Sequence, residues 1–463
     1  MRLSAAAALL AAAVTAAAEP PAQVLQHPIT GERVRLAAEV PLRPPPGYEP
    51  ATHQARWEAR QRAAGFTKVV APEDDAAALQ AIRERDAGLA RLAAAEAAPW
   101  PEAERLFHQD PSWLGSDAAY SIPLGDGRAL WLFGDTFVAR APGGTRRESV
   151  MVRNTVAVQH GPDPRSAKME FAWGRRGDGS PAAFFPDEGG RGYWPGHGLR
   201  VENGPLVVFL YAVVNTPGVG LGFAGDGWSL AVVEHPERPP AEWAPRIIRQ
   251  QVPAWGAVPS TAVVLQGEWV VCLAIGQESF HAGMLVRWPL AALAAGETRG
   301  AEWWTGPVRG WVPQAEVGPG GPAVVMDDAG SECSIHRDPQ VRQWVHTSTL
   351  GFGATSVGIR TAPELTGPWS PPVVIHRPRE SQGEHPFVYA AKAHPELTAP
   401  QAGALVITYA TNSFTFADLF TERGQAELYW PRVVVLPAPA PATAGADPGV
   451  RSPAAPPPPA ATR

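Results

Sequence analysis

The chain has 463 residues, including 46 Gly, 51 Pro and 17 Trp, with 45% hydrophobic and only 18% charged side chains. That much apolar material excludes a wholly disordered chain. A formal net charge of -6 gives no basic footprint for phosphate backbones, so nucleic acid is not an expected partner.

In chain order, residues 1–18 place Arg2 before an Ala/Leu run that closes on Ala16-Ala17-Ala18, the pattern of a signal peptide cleaved before Glu19. This run is shorter than the roughly 20 apolar residues of a membrane span, and no later segment qualifies. A secreted or periplasmic protein without a membrane span is expected. Residues 19–105 read as a Pro-rich linker, PLRPPPGYEP, followed by a helical extension. Two helices are predicted there between about Gln54 and Ala98, with Leu79, Ile82, Leu89 and Leu92 at helical spacing.

From 106 to 436 the pattern changes to short runs of Val, Ile, Leu, Trp and Tyr broken by Gly, Pro and Asp, the mark of an all-β region. Five segments share one layout: a Gly, one or two polar residues, an apolar strand, a turn, and a second apolar strand with a polar end. They open at Gly115, Gly196, Gly256, Gly330 and Gly383. Further strand pairs lie between them, such as NTVAVQH with KMEFAWG and TSVGIRT with VVIHRP. Each unit then holds about four strands over about 65 residues, which predicts a five-bladed β-propeller of four-stranded antiparallel blades. A pair of β-sandwiches would use the same strand count but leaves the recurring Gly-polar opening unexplained. Residues 437–463, almost entirely Pro, Ala and Gly, read as a disordered tail.

In a propeller the first strands line the central channel, and the ends of the antiparallel second strands return to the end where the first strands begin. The starts bring Asp117, His197, Ser260, Glu332 and Glu384-His385 together; the returns bring Asp135, Asn215, Gln277, Ser348 and Asn412. A turn on Gly125-Asp126-Gly127 predicts Asp117 opposite Asp135, with Cβ atoms about 5 Å apart. Two carboxyls that close raise each other's proton affinity, which suits a general acid/base pair or a metal site. Asp135 in GDT also fits a turn cap. Glu332 faces the pair across the channel as a third candidate catalytic carboxylate. His197, Trp194, Asn215, Gln277, His385 and Asn412 are the candidate substrate-binding residues. Trp255, Trp311 and Phe387 stand close to the same loops, although most of the Trp must fill the space between blades.

Cys272 and Cys333 either form one bridge or remain buried thiols, and neither belongs to a zinc-binding pattern. Asp327 and Asp338 sit in turn sequences that lack the spaced ligands of a calcium loop. No resident metal or cofactor is expected. No P-loop, dinucleotide fingerprint or G-x-S-x-G elbow stands in a strand-to-helix context.

The segment DPSWLGSDAAYSIPLGDGRALWLFGDTFV, residues 110–138, resembles the opening of the bacterial secreted five-bladed propellers of uncharacterised domain families 4185 and 5005. Relatives of these are glycoside hydrolases that cleave D-arabinan. W-x-G-x-D, a spaced Ser, DGR and W-L-F-G-D-T carry the resemblance. It implies a five-bladed propeller with a sugar-cleaving pocket, and Asp117 and Asp135 as catalytic carboxylates; a monomer acting on a carbohydrate substrate is expected. A non-catalytic carbohydrate-binding propeller is the competing expectation.

Overall fold

The computed structural model describes the strands Val24–Gln26, Arg33–Arg35 and Lys68–Val70 and residues 76–440, apart from 218–221, 277–280, 319 and 352–355. The signal-peptide segment, the Pro-rich linker, the first of the two expected helices and residues 441–463 lie outside the described residues.

Period-2 apolar runs bounded by turn residues make strands, and consecutive runs pair as hairpins. Blade 1 runs outward through Trp113–Gly125, Arg128–Ala139, Thr155–His160 and Lys168–Ala172, with Ser149–Val152 also paired to the second strand. Blade 2 is Arg191–Arg200, Leu206–Asn215, Phe223–Val233 and Arg246–Gln250. Blade 3 is Ala257–Gln266, Trp269–Gly276 and Gly283–Pro289, extended by three short strands, and blade 4 is Cys333–Asp338, Gln343–Thr349, Val357–Ala362 and Val373–His376. Blade 5 is Pro386–Ala393, Leu405–Ser413 and Arg432–Leu436, and its outermost strand is Ala98–Pro99. The architecture is a five-bladed β-propeller.

The blade interfaces explain the alternation. Along the second strand of blade 2, Leu206, Val208, Leu210 and Ala212 pack with blade 1, whereas Val207 and Phe209 pack with blade 3. Equivalent clusters fill the 3/4, 4/5 and 5/1 interfaces. Both faces of each sheet are therefore buried, and Trp113, Trp131, Trp288 and Trp303 are the large side chains that fill the gaps. The helix Ala76–Leu92 inserts Leu89 and Leu92 into the 4/5 cluster. Among the described residues, no helix is long and apolar enough to cross a membrane.

Ring closure uses a piece of chain that carries no strand signal. Ala98–Pro99, which the sequence places in the helical extension, pairs with Val434 and Val435, so the two ends of the propeller share one sheet. Glu104 then accepts bonds from Arg432 Nη1 (2.9 Å) and the Val433 amide (3.2 Å), while Glu380 holds the same guanidinium at 3.1 Å. Arg432→Met is expected to lower the free energy of unfolding in denaturant by about 2 kcal/mol, since partly buried hydrogen bonds to charged groups are lost. An unchanged midpoint would contradict a closing role for this cluster.

Four of the five inner strands are irregular along their length. Register shifts fall within Ser116–Tyr120, Pro195–Gly198, Pro259–Val263 and Tyr389–Lys392. Bulges of this kind bend a strand and re-aim its side chains. Crowding at the axis supplies the reason: a Cβ built on Gly196 would stand 1.7 Å from the Ser260 carbonyl oxygen of the next blade, a contact only glycine permits.

Candidate active site

The expected Asp126-Gly127 turn is present, with positive φ at both residues, and the ladder above it runs in the expected register from Pro123↔Ala129 to Tyr120↔Leu132. Asp117 and Asp135 nevertheless are not a ladder pair. Between Ser116↔Thr136 and Ala118↔Phe133 the second strand carries an extra residue, and between Ala118↔Phe133 and Tyr120↔Leu132 the first strand does, with φ of 63° at both Ala118 and Ala119. Asp117 is thereby turned over Gly134: a Cβ built there would stand 2.3 Å from Asp117 Oδ1. Gly134→Ala must push the carboxyl aside. Because that group is the free end of a side chain, stability is expected to change by less than about 1 kcal/mol, whereas activity falls about 100-fold through misplacement. Kinetics alongside denaturant unfolding check the split; equal losses in both, or full activity, would contradict it.

Asp117 Oδ2 accepts bonds from the hydroxyls of Tyr389 (2.7 Å) and Tyr429 (3.3 Å). Burial, followed by the negative charges of Asp135 and Glu332, holds its proton affinity well above the ordinary carboxylate range, against the pull of the Tyr389 bond and Lys392. Two tyrosine donors favour the charged form, but three acids in one enclosed space outweigh them. Asp135 is raised by burial as well, with less force, because Trp194 Nε1 (3.0 Å) and the Arg153 guanidinium (3.5 Å) both favour its charge. Asp117 and Asp135 each keep some solvent contact while protein surrounds them.

Glu332, immediately before the inner strand of blade 4, forms an ion pair with Lys392 Nζ at 2.8 Å. Lys392 is almost wholly buried; its ammonium also donates to the carbonyls of Ala118 and Ala390, each at 2.7 Å, and lies 4.2 Å from the centroid of the Tyr120 ring. Burial lowers its proton affinity, and the Glu332 charge opposes that. This lysine ties the bulges of blades 5 and 1 to the acid of blade 4.

The other expected residues divide. Trp194 bonds Asp135 and sits edge-on to Phe223 with centroids 4.6 Å apart. Asn215 accepts from Arg153, and Asn412 Nδ2 donates to the Tyr389 hydroxyl at 3.4 Å, so both stand one bond from a carboxylate-bound group. His197 has both ring nitrogens engaged by backbone: Nδ1 accepts from the Val263 amide (2.8 Å) and Nε2 meets the Ser121 carbonyl (3.1 Å). Burial lowers its pKa to about 4, which makes it a neutral tie between blades 1, 2 and 3. His385 is half-exposed and lies beside Asp418 (3.3 Å). Gln277 lies outside the described residues. Trp255 and Trp311 pack against Trp303 and Trp304 within blade 3. Asp338 caps its own turn through the Gln340 and Val341 amides, and Cys272 and Cys333 are buried free thiols.

The sequence reading missed Tyr389, Tyr429, Lys392, Arg153 and Arg146. A lone Lys inside the apolar run FVYAAKA was a usable signal, because a buried ammonium needs a partner. Tyr429 had none. Arg146 holds it in place: almost fully buried and with no carboxylate partner among the described residues, it donates to the carbonyls of Leu114, Leu419, Gly424 and Leu428 and lies against the Phe137, Tyr429 and Trp430 rings. Burial lowers its pKa to about 10, so it stays charged at neutral pH.

Two other places are poorer candidates. Ser121, His394 and Glu396 meet further along the channel, but Glu396 bonds the serine rather than the histidine, whose Nε2 goes to Thr408, so no relay forms. An open cleft on blade 2 between Asp226 and Arg249 has its charges joined in an Arg191–Asp226 pair. Among the described residues, no group of three or more His, Cys, Asp or Glu is arranged to hold a metal ion.

The model of the family described as "Domain of unknown function (DUF5005)" matches residues 102–437. No curated protein matches the chain in sequence. Among solved structures, a candidate hydrolase from Bacteroides ovatus ATCC 8483 superposes with a TM-score of 0.58 at 16% identity, covering 73% of this chain and 89% of that one. An endo-arabinase from Bacteroides thetaiotaomicron VPI-5482 matches at 13% identity and a TM-score of 0.36 over 71% of this chain and 95% of its own. A xylan β-1,4-xylosidase from Bacillus halodurans C-125 matches at 10% and 0.38 over 70% and 53%. At such identities the likeness is one of fold.

Proposed function

From the premise that the chain belongs to the DUF5005 family, whose description assigns no activity, we propose that it is an exported glycoside hydrolase acting on an extracellular polysaccharide. The observation that carries this reading is the grouping of Asp117, Asp135 and Glu332, from two blades, with burial raising the proton affinity of Asp117 more strongly than that of Asp135. The export part rests on the Arg-then-Ala/Leu pattern of residues 1–18.

Asp117 is the general acid. Its Oδ2 is taken up by two tyrosine hydroxyls, which leaves Oδ1 to carry the proton that the surrounding charges retain. It donates that proton to the glycosidic oxygen as the bond from that oxygen to the anomeric carbon breaks. Asp135, whose charge Arg153 and Trp194 favour against burial, takes a proton from the water that adds to the anomeric carbon, or attacks that carbon itself before water releases the sugar. Glu332, paired with Lys392, supplies negative charge beside the oxocarbenium-like transition state and keeps Asp117 protonated. The resemblance of residues 110–138 puts furanoside-containing glycans, D-arabinan among them, first in the substrate panel.

Hydrolysis in ¹⁸O-labelled water tests the reaction class. One ¹⁸O should appear at each new reducing end; an unsaturated, ultraviolet-absorbing product without ¹⁸O would replace hydrolysis by elimination.

A further inference from the structure

From the Asp117 carboxyl a series of aromatic rings continues along blade 5. Tyr389, whose hydroxyl bonds Asp117, has its ring centroid 5.5 Å from that of Phe387, and Phe387 stacks on Phe414 at 4.4 Å with 28° between the planes. Phe414 is 60% exposed and Phe416 is 52% exposed, and Phe416 leans on Phe420 at 5.4 Å.

Exposing two phenylalanines so close together gives up burial that folding would otherwise gain, and such patches mark binding surfaces. The segment that carries them is held firmly. The Phe414 amide donates to the His385 carbonyl (3.0 Å), the Thr415 amide donates to Ser413 Oγ (3.1 Å), and Ser413 Oγ donates to Asp418 (2.7 Å). The rings are therefore presented in fixed positions, with little ordering left to pay on binding. Beside them, the half-exposed His385 and Asp418 side chains offer a donor and an acceptor at the rim.

We propose that this strip is a track for the sugar units that continue from the bond being cleaved, so that the enzyme takes a polymeric glycan rather than a disaccharide. The proposal rests on the hydrolase reading above. Sugar rings present flat C–H faces to aromatic rings and edge hydroxyls to polar groups, and a chain leaving the pocket past Tyr389 meets both in that order. Continuity with Asp117 through Tyr389 is what selects a glycan over a protein partner, whose footprint would not need to begin at a buried acid.

The test compares wild type with a Phe414→Ala/Phe416→Ala double variant on arabinan, on xylan and on the shortest oligosaccharide of either that is cleaved. The ratio of kcat/KM on polymer to kcat/KM on the short substrate should fall about tenfold, through KM, as two stacking contacts are lost. An unchanged ratio overturns the track. Affinity electrophoresis through gels containing the same polymers separates this from failure of the hydrolase reading. If wild type cleaves nothing but is retarded, loss of retardation in the double variant sustains the track, and equal retardation overturns it. If no polymer retards the wild type, while light scattering shows self-association that the double variant abolishes, the strip is a contact between copies and the proposal falls.

Discussion

Asp117→Asn is expected to cut glycan hydrolysis by roughly 10²–10⁴-fold, the usual worth of a positioned general acid, while glycan binding and the fold are kept. The amide oxygen can still accept from the Tyr389 and Tyr429 hydroxyls, so the change removes a proton donor and little else. Stability gives an independent readout with a definite sign. The folded-state proton affinity of Asp117 is raised well above its unfolded value, so the contribution of this group to stability is fully present below the unfolded pKa and is lost as pH rises through the folded one. The variant cannot ionise. Its unfolding free energy should match that of the wild type near the bottom of the carboxylate range and exceed it increasingly as pH climbs. Wild-type activity should follow a bell: the acid limb reports protonation of Asp135, the alkaline limb loss of the proton from Asp117, and both limbs lie above the ordinary carboxylate value. A stability difference that shrinks with pH would contradict the assignment of the buried proton.

Lys392→Met is expected to be the most damaging single change to the pocket's framework. It leaves the Ala118 and Ala390 carbonyls without their donor at the two bulges and strands Glu332 without its counter-charge. Breaking a buried pair from one side costs 3–5 kcal/mol in general; because Glu332 keeps 26% of its side-chain surface in water, about 3 kcal/mol is the figure to expect in denaturant unfolding. A purely structural role would stop there. Lys392 also opposes the rise in Asp117 proton affinity, so its removal raises that affinity further and moves the alkaline limb of the activity profile to higher pH. An alkaline limb that stays in place or moves down would show that the lysine does not act on Asp117. Lys392→Arg should recover part of the stability but place its charge differently, because a planar guanidinium cannot reproduce three short bonds made by one ammonium nitrogen.

Much of the fold was legible in the sequence because its signals are local. Alternating apolar runs, the Asp126-Gly127 turn and the recurring Gly-polar pairs are enough to place five antiparallel blades, although Gly115 and Gly196 stand inside the inner strands Trp113–Gly125 and Arg191–Arg200 rather than ahead of them. The closing strand was not legible: two residues, Ala98 and Pro99, carry no periodicity, and only pairing with Val434 and Val435 makes them a strand. Asp117, Asp135 and Glu332 could be singled out because charge is otherwise scarce along these strands, although Asp117 and Asp135 lie within their strands and only Glu332 stands just ahead of one. Their partners could not, since Tyr389 and Tyr429 reach Asp117 across 272 and 312 residues of chain and across a bulge that no regular register anticipates. The same bulging turned an expected face-to-face pair of aspartates into a carboxyl lying over Gly134. His197 illustrates the converse. A histidine expected at a strand start has the right address for a ligand-binding group, yet it lies inside Arg191–Arg200 and two backbone partners from neighbouring blades already occupy its nitrogens.

The most direct test of the central claim, that Asp117 and Asp135 hydrolyse a glycan together, is reducing-end release from a panel of purified polysaccharides by the wild type, Asp117→Asn and Asp135→Asn. The wild type should release reducing ends from at least one furanoside-containing member, and each variant should lose nearly all of that release while still binding the same polymer. Release by Asp117→Asn at the wild-type rate would remove the catalytic assignment, and binding without release by the wild type across the whole panel would make the propeller a carbohydrate-binding protein instead.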